Sequence, residues 1–278
     1  MVVKQAVFLY ITMKMNQGHT FGKGKCTTGE NMRLKAITAI LAALLISGTA
    51  HAQNETKGDI RLFQSFFEDA HITPDLYLDT EFASSYYDNR IADAWLYELA
   101  WRMGVPLNPS TELHGRLGLV HADPDNGSET SISDLYLGGR HLFIDQETKV
   151  SAGGFVTIPT GKEETWQDNF DVGAYTALRH PVSSEVVLTG TIGLIFTEKY
   201  SRDHETTLRL AGGAIYDYSS KVSFLGEAVI ETRYDYILLS GGIDYKFDRK
   251  SSLRCGLGVG VDDGAPDIQV LLSFFWVF

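Results

Sequence analysis

From Leu76 to Phe278 the chain alternates apolar and polar positions in segments of roughly 10 to 15 residues, each closed by turn residues. The last segment shows the period most plainly. Ile268, Val270, Leu272, Phe274, Trp276 and Phe278 are all apolar, while the other register reads Asp267, Gln269, Leu271, Ser273, Phe275 and Val277. A period of two belongs to a strand with one oily face. Six successive even positions cannot share one face of a helix at about 3.6 residues per turn. The same pattern sets Trp95, Tyr97, Leu99, Trp101, Met103 and Val105 against Glu98 and Arg102, and Leu239, Ile243 and Tyr245 against Asp244 and Lys246. The spacing predicts strands over 76–87, 91–105, 111–121, 132–143, 148–158, 170–179, 184–196, 206–218, 222–231, 235–247, 252–261 and 267–278. All seven prolines fall outside or between them, because proline removes a ladder donor.

Two architectures fit such strands: a sandwich or barrel with its apolar faces inward, or a membrane barrel with them outward. Connection lengths favour the second. Shorter gaps (106–110, 144–147, 180–183, 219–221, 248–251) alternate with often longer ones (122–131, 159–169, 197–205), as in outer-membrane barrels with short turns on one side and long loops on the other. The gaps 88–90 and 232–234 break this alternation. The expected fold is therefore all-β, an antiparallel up-and-down transmembrane barrel of about 12 strands over residues 76–278. An even count returns the chain to the periplasmic side. Phe274, Trp276 and Phe278 would then sit in the inner aromatic girdle and form the signal read by the barrel-assembly machinery. Pairing of the last strand with the first would leave no open edge in lipid.

Upstream, Met32-Arg33-Leu34-Lys35, the apolar run Ala36–Ser47 and Ala50-His51-Ala52 read as a secretory signal peptide over 32–52. The apolar run is too short for a membrane-spanning helix. Residues 1–31 read as an upstream extension before a start at Met32, the alternative being a long leader. Residues 53–75 are expected to form a periplasmic segment whose stretch 59–69 carries a short amphipathic helix capped by Asp59. Two other readings of that stretch are a plug in the lumen and a helix lying on the inner leaflet's face of the membrane.

Composition narrows the function classes. The first 52 residues take six of the 24 Lys/Arg and one of the 35 Asp/Glu, leaving a net charge of −16, which argues against nucleic acid. Only Cys255 lies beyond that leader, so no intramolecular disulfide is expected in the exported chain. No cofactor or metal is expected either. GLGVGVDDG (256–264) lacks the helix of a dinucleotide turn, and its glycines read as small inward positions beside bulky neighbours. The loop His121–Glu129 gathers three carboxylates, open to a calcium or a plain solvated reading. A catalytic Ser–His pair is not found: His141 falls on the outer face with no serine in register.

The inward parity collects charges of both signs. The expected lumen lining is Glu98, Arg102, Arg116, Asp134, Tyr136, Arg140, Tyr175, Arg179, Arg209, Glu227, Asp244 and Arg254. Two readings stay open: a narrow polar, aromatic-lined passage, or a salt-bridged core without conductance.

SDLYLGGRHLFI (133–144), GGFVTIPTGKEE (153–164) and DDGAPDIQVLLSFFWVF (262–278) resemble a family of outer-membrane proteins grouped under the MetA pathway of phenol degradation. The resemblance covers about 132–278. It implies a barrel of roughly 12 strands, and a transporter or porin-like channel for small, aromatic or hydrophobic compounds in the outer membrane of a Gram-negative cell. Such a protein would have outer-membrane lipid and a small-molecule solute as partners. The reading from another class is a structural or adhesive barrel with an occluded lumen. A lipid-modifying enzyme is the third.

Overall fold

Segments that alternate in this way complete their backbone hydrogen bonds only by pairing with one another, and they do so in a closed ring. The computed structural model describes residues 60–89, 92–124, 127–161, 170–198 and 204–278. Its strands are β1 (Tyr77–Asn89), β2 (Ala92–Asn108), β3 (Thr111–Pro124), β4 (Glu129–Ile132), β5 (Leu135–Asp145), β6 (Lys149–Ile158) and β7 (Phe170–Pro181). They continue with β8 (Val186–Glu198), β9 (His204–Asp217), β10 (Val222–Glu231), β11 (Tyr236–Lys246), β12 (Ser251–Gly260) and β13 (Ile268–Val277). Each pairs antiparallel with its neighbours, and β13 pairs with β1 from Tyr77↔Val277 to Tyr86↔Ile268. The short β4 extends the stave that β5 completes. β3 pairs with β4 over Leu119–Ala122 and with β5 over Thr111–Arg116, so the wall has twelve staves.

The predicted strands all form, with boundaries shifted by a few residues. One predicted segment, 132–143, is split at Ser133–Asp134, where the Gly118 amide donates to Ser133 Oγ at 2.8 Å and the Ser133 amide to the Gly118 carbonyl at 2.8 Å. Two to four residues connect the strands at the end where β1 starts and β13 finishes, called here the terminal end. At the other, loop end, the longest connection runs over 159–169. The short gaps there after β1 and β10 are real.

Parity decides what each face meets. Along β13 exposure alternates without exception, with Ile268, Val270, Leu272, Phe274 and Trp276 outward and Gln269, Leu271, Ser273, Phe275 and Val277 buried. Leu239, Leu257, Val259 and Trp276 are at least half exposed. A chain that buries arginines and exposes this much hydrocarbon has its oily solvent outside. Aromatic pairs collect at both rims: Tyr86, Trp95 and Tyr97 at the loop end, Phe247, Phe274, Trp276 and Phe278 at the terminal end.

The expected helix over 59–69 is not formed within the described residues, and the stretch does not lie outside the barrel. Residues 60–73 run as an irregular strand-free segment through the lumen. Ile60, Leu62, Phe63, Phe66 and Phe67 are buried, and so are Arg61, Ser65, Glu68, Asp69 and His71. A helix would have turned its polar side to water. Here the opposite side meets a wall of charges, and an irregular backbone of turns and bends leaves carbonyls that wall groups can reach. Residues 1–59, on which the expected upstream extension (1–31) and signal peptide (32–52) fall, lie outside the described part of the chain.

The outward face gives a test. Leu239→Arg places a charge against hydrocarbon and is expected to cost about 2–4 kcal/mol near the bilayer midplane. Urea-induced unfolding of the protein in lipid vesicles measures it, with Leu239→Ala as the reference.

Candidate functional site

The lumen is a site built between the wall and the plug, residues 60–73. An irregular segment in a closed interior has carbonyls with no strand neighbour, and each needs a donor. The wall provides them chiefly as arginines. Arg102 of β2 donates to the Phe63 carbonyl at 3.3 Å, and Arg140 of β5 to those of Phe67 and Asp69 at 3.1 and 2.6 Å. Arg179 of β7 reaches the Ile60 carbonyl at 3.0 Å, Arg209 of β9 that of Gln64 at 2.9 Å, and Arg254 of β12 that of Arg61 at 3.3 Å. Tyr175 and Thr191 hydroxyls bind the Phe67 and Glu68 carbonyls at 2.9 and 2.8 Å. From the other side Glu227 of β10 accepts the Gln64 and Ser65 amides at 2.9 and 2.8 Å.

Charge pairs complete the grip. Plug residue Asp69 pairs with Arg179, and Glu68 with Arg209 at 2.8 Å. Arg61 lies fully buried and meets Thr73 Oγ1 at 2.6 Å, Glu112 at 3.3 Å and the Tyr77 hydroxyl. Glu112 also accepts from Tyr77 at 2.7 Å and from Arg140 at 2.9 Å. This carboxylate ties β1, β3, β5 and the plug together.

Aromatic contacts seat the plug. The guanidinium carbons of Arg61, Arg102 and Arg254 stand 5.2, 4.9 and 5.2 Å from the Phe66 ring centroid, within cation–π range. Phe67 stacks on His114 at 4.3 Å and on Tyr136 at 5.4 Å, and Tyr136 on Phe155 at 4.8 Å. Phe63 fits over Gly242 and Gly256, where a methyl group would press on its ring edge at 2.8 and 2.6 Å. Of the inward glycines of 256–260, Gly256 thus makes room for the plug, whereas Gly260 lies against Ala265 and Pro266.

All twelve expected lumen residues lie on the inner side, but they do not surround an open bore. Seven of them, Arg102, Arg140, Tyr175, Arg179, Arg209, Glu227 and Arg254, hold the plug. Tyr136 stacks against it. Asp244 pairs with Arg254 at 3.1 Å, Glu98 pairs with Arg116, and Asp134 accepts the Thr160 and Gly161 amides at 3.1 Å near the loop end. Sequence reasoning passed over Glu112, although it shares the parity of His114 and Arg116. Arg61 and the plug phenylalanines gave no such signal, because an amphipathic pattern does not say which surface it meets.

Against the plug a cavity of about 90 Å³ remains. It runs from Phe66 and Phe67 toward the loop end as far as Ser85, Leu96 and Gln269. Beyond it Gly264, Ala265 and Pro266 fold into the mouth, where Ala265 packs on Val229, Tyr236 and Leu238. Among the described residues no cluster of His, Cys, Asp and Glu could hold a metal ion. Part of the loop 121–129 lies outside them, and His121 Nδ1 lies 2.8 Å from Thr130 Oγ1. His141, facing outward, lies 2.9 Å from Thr111 Oγ1.

A family model described as "Putative MetA-pathway of phenol degradation" matches residues 47–278. The chain belongs to that family. Among solved structures it is similar to the COG4313 outer-membrane channel of Pseudomonas putida F1, with a TM-score of 0.64 and 12% identity over 76% of this chain and 97% of that one. It is also similar to the KdgM porin, with a TM-score of 0.54 and 10% identity over 73% of this chain and 99% of that one. At such identities the likeness establishes the fold, which these outer-membrane channels share with this family member. No curated protein sequence matches the chain significantly.

The grip predicts how the plug responds to mutation. Arg140→Leu leaves Glu112 and two plug carbonyls without that donor, and removing one partner of a buried charge pair costs about 3–5 kcal/mol. Amides of residues 60–73 are expected to exchange hydrogen at least tenfold faster, while those of β10 to β12 keep their protection, as measured by mass spectrometry. Phe66→Ala is expected to act in the same direction.

Proposed function

We propose that the protein is an outer-membrane channel for passive or facilitated passage of small solutes, exported through the signal peptide at 32–52 in a Gram-negative cell. The terminal end then faces the periplasm. Phe274, Trp276 and Phe278, all on the outer face of the closing strand, suit recognition by the barrel-assembly machinery, and phospholipid covers the apolar band. The observation that carries the reading is the nature of the lumen filling. A twelve-stave wall leaves more room than its own side chains fill. That room holds a separate segment with no strand partner, fixed by side chains and by no ladder. A segment held in this way can shift without unzipping the wall. The fold shared with an outer-membrane channel and a porin supports the same reading, and the family's description suggests aromatic solutes.

The structural or adhesive reading draws on one observation, that the lumen is occluded by a plug with paired charges. Permanent occlusion and a movable plug differ in conductance. The full chain in planar bilayers is expected to show small discrete steps, and deletion of residues 60–73 larger ones. Silence of the full chain at high protein density, with conductance from the deletion, would assign the occluded role. No catalysis and no nucleic-acid partner belong to the proposal.

A further inference from the structure

We infer that the inner face of β7 to β9 is a binding site for a small organic dicarboxylate, held in this structure by Glu68 and Asp69 of the plug as an internal stand-in. The inference rests on the channel reading and names a solute class for the same lumen.

The wall arginines fall into two sets. Arg102 pairs with Glu81 at 2.5 Å, Arg140 with Glu112 at 2.9 Å, Arg254 with Asp79 and Asp244 at 3.3 and 3.1 Å, Arg233 with Glu205 at 3.1 Å, and Arg116 with Glu98. In each of these the acid belongs to the wall, so the pair does not depend on the plug. Arg179 of β7 and Arg209 of β9 differ. They pair with Asp69 and, at 2.8 Å, with Glu68, both on the plug. The wall acid Glu231 stands farther off, 3.8 Å from Arg209 Nε. Around these two arginines the wall is poor in acid. Among the described residues the inner face of β6 to β8 carries one carboxylate, Asp171, toward the loop end. In register with Arg179 lie Lys149, which pairs with Asp145 at 2.9 Å, and Thr189.

The stand-in fills its site incompletely. Glu68 Oε2, Asp69 Oδ1 and the Thr189 hydroxyl are buried and make no hydrogen bond among the described residues. Each plug carboxylate therefore meets its arginine through one oxygen, whereas a guanidinium fork is shaped to take both. The backbone explains the shortfall. The same two arginines also bind the Ile60 and Gln64 carbonyls, and Arg140 those of Phe67 and Asp69, so the carboxylates are placed by a main chain fixed on either side of them. A free dicarboxylate brings the same two charges without that constraint and gains Thr189 as a further donor. A monocarboxylate leaves one buried arginine without its acid, and a neutral solute leaves both, which is strongly unfavourable. Solute and plug acids exclude one another here. Binding of the solute at this face consequently favours release of the plug, by as much as the solute prefers the released state.

Calorimetric titration of the full chain in phosphatidylcholine nanodiscs tests this with succinate, glutarate and adipate as probes, butyrate and dimethyl adipate as controls, and ionic strength held constant. Glu68→Ala combined with Asp69→Ala removes the competing acids. This variant is expected to bind at least one of the three dicarboxylates saturably and at least tenfold more tightly than the unmodified chain, with butyrate tenfold weaker and the ester silent. Adding Arg179→Gln and Arg209→Gln is expected to abolish that binding, and adding Thr189→Val to weaken it roughly fivefold, the equivalent of one hydrogen bond. A second arm needs no variant to fold. In the unmodified chain the bound dicarboxylate is expected to speed amide exchange of residues 60–73 at least threefold, and dimethyl adipate to leave it unchanged. No saturable binding by the double variant with its heat-modifiable migration intact, equal affinity for dicarboxylate and butyrate, or binding that persists without both arginines would overturn the assignment. Should the double variant not fold, unchanged exchange in the unmodified chain overturns it. Conductance of the same chain separates the two levels. Steps without dicarboxylate binding refute the site and leave the channel, whereas binding without steps supports the site and refutes the channel.

Discussion

A backbone group removed from water must find a partner within the protein, and this molecule meets that demand in two ways. Where the chain crosses hydrocarbon, each strand is paired on both sides, and the pairing of β13 with β1 leaves no edge open to lipid. Where the chain runs through the interior, no neighbour strand is available. There the partners are side chains, with arginines from five strands directed at plug carbonyls. The inner face of the wall is rich in charge because its occupant is irregular.

That arrangement explains why buried ions are tolerated here at all. A guanidinium carries five donors in a fixed fork, so one arginine can bind a carboxylate and a carbonyl together. Arg209 does so with Glu68 and the Gln64 carbonyl, and Arg102 with Glu81 and the Phe63 carbonyl. Replacing such a group by hydrocarbon would remove a desolvation cost and strand a carbonyl at the same time. Ion pairs in this lumen serve placement of the plug as much as stability.

On the proposed channel reading the same bonds bear on transport. A bore filled by its own wall side chains can open only if strands move. A bore filled by a tethered segment opens when a set of side-chain bonds exchanges partners, and the wall stays intact. The cavity beside Phe66 and Phe67 lies where such a segment and the wall leave space between them, lined by residues of both, Arg102 and Arg209 among them.

By itself the sequence determined the number of staves, their bounds to within a few residues, the face each side chain takes and the closing role of the last strand. A strand's period of two is local and survives whatever its neighbours are, so it can be read from Ile268 to Phe278 without a structure. Parity also placed all twelve charged and aromatic lining residues on the inner side, and would have placed Glu112 had it been followed to the strand's first turn. Only the tertiary structure decided what those residues face. Residues 60–73 carry an amphipathic pattern that suits a helix on a surface as well as a strap inside a barrel. The choice depends on a dozen side chains spread from Tyr77 to Arg254, brought together only by closure of the ring. Local periodicity records which way a side chain points; the identity of its partner is a long-range fact.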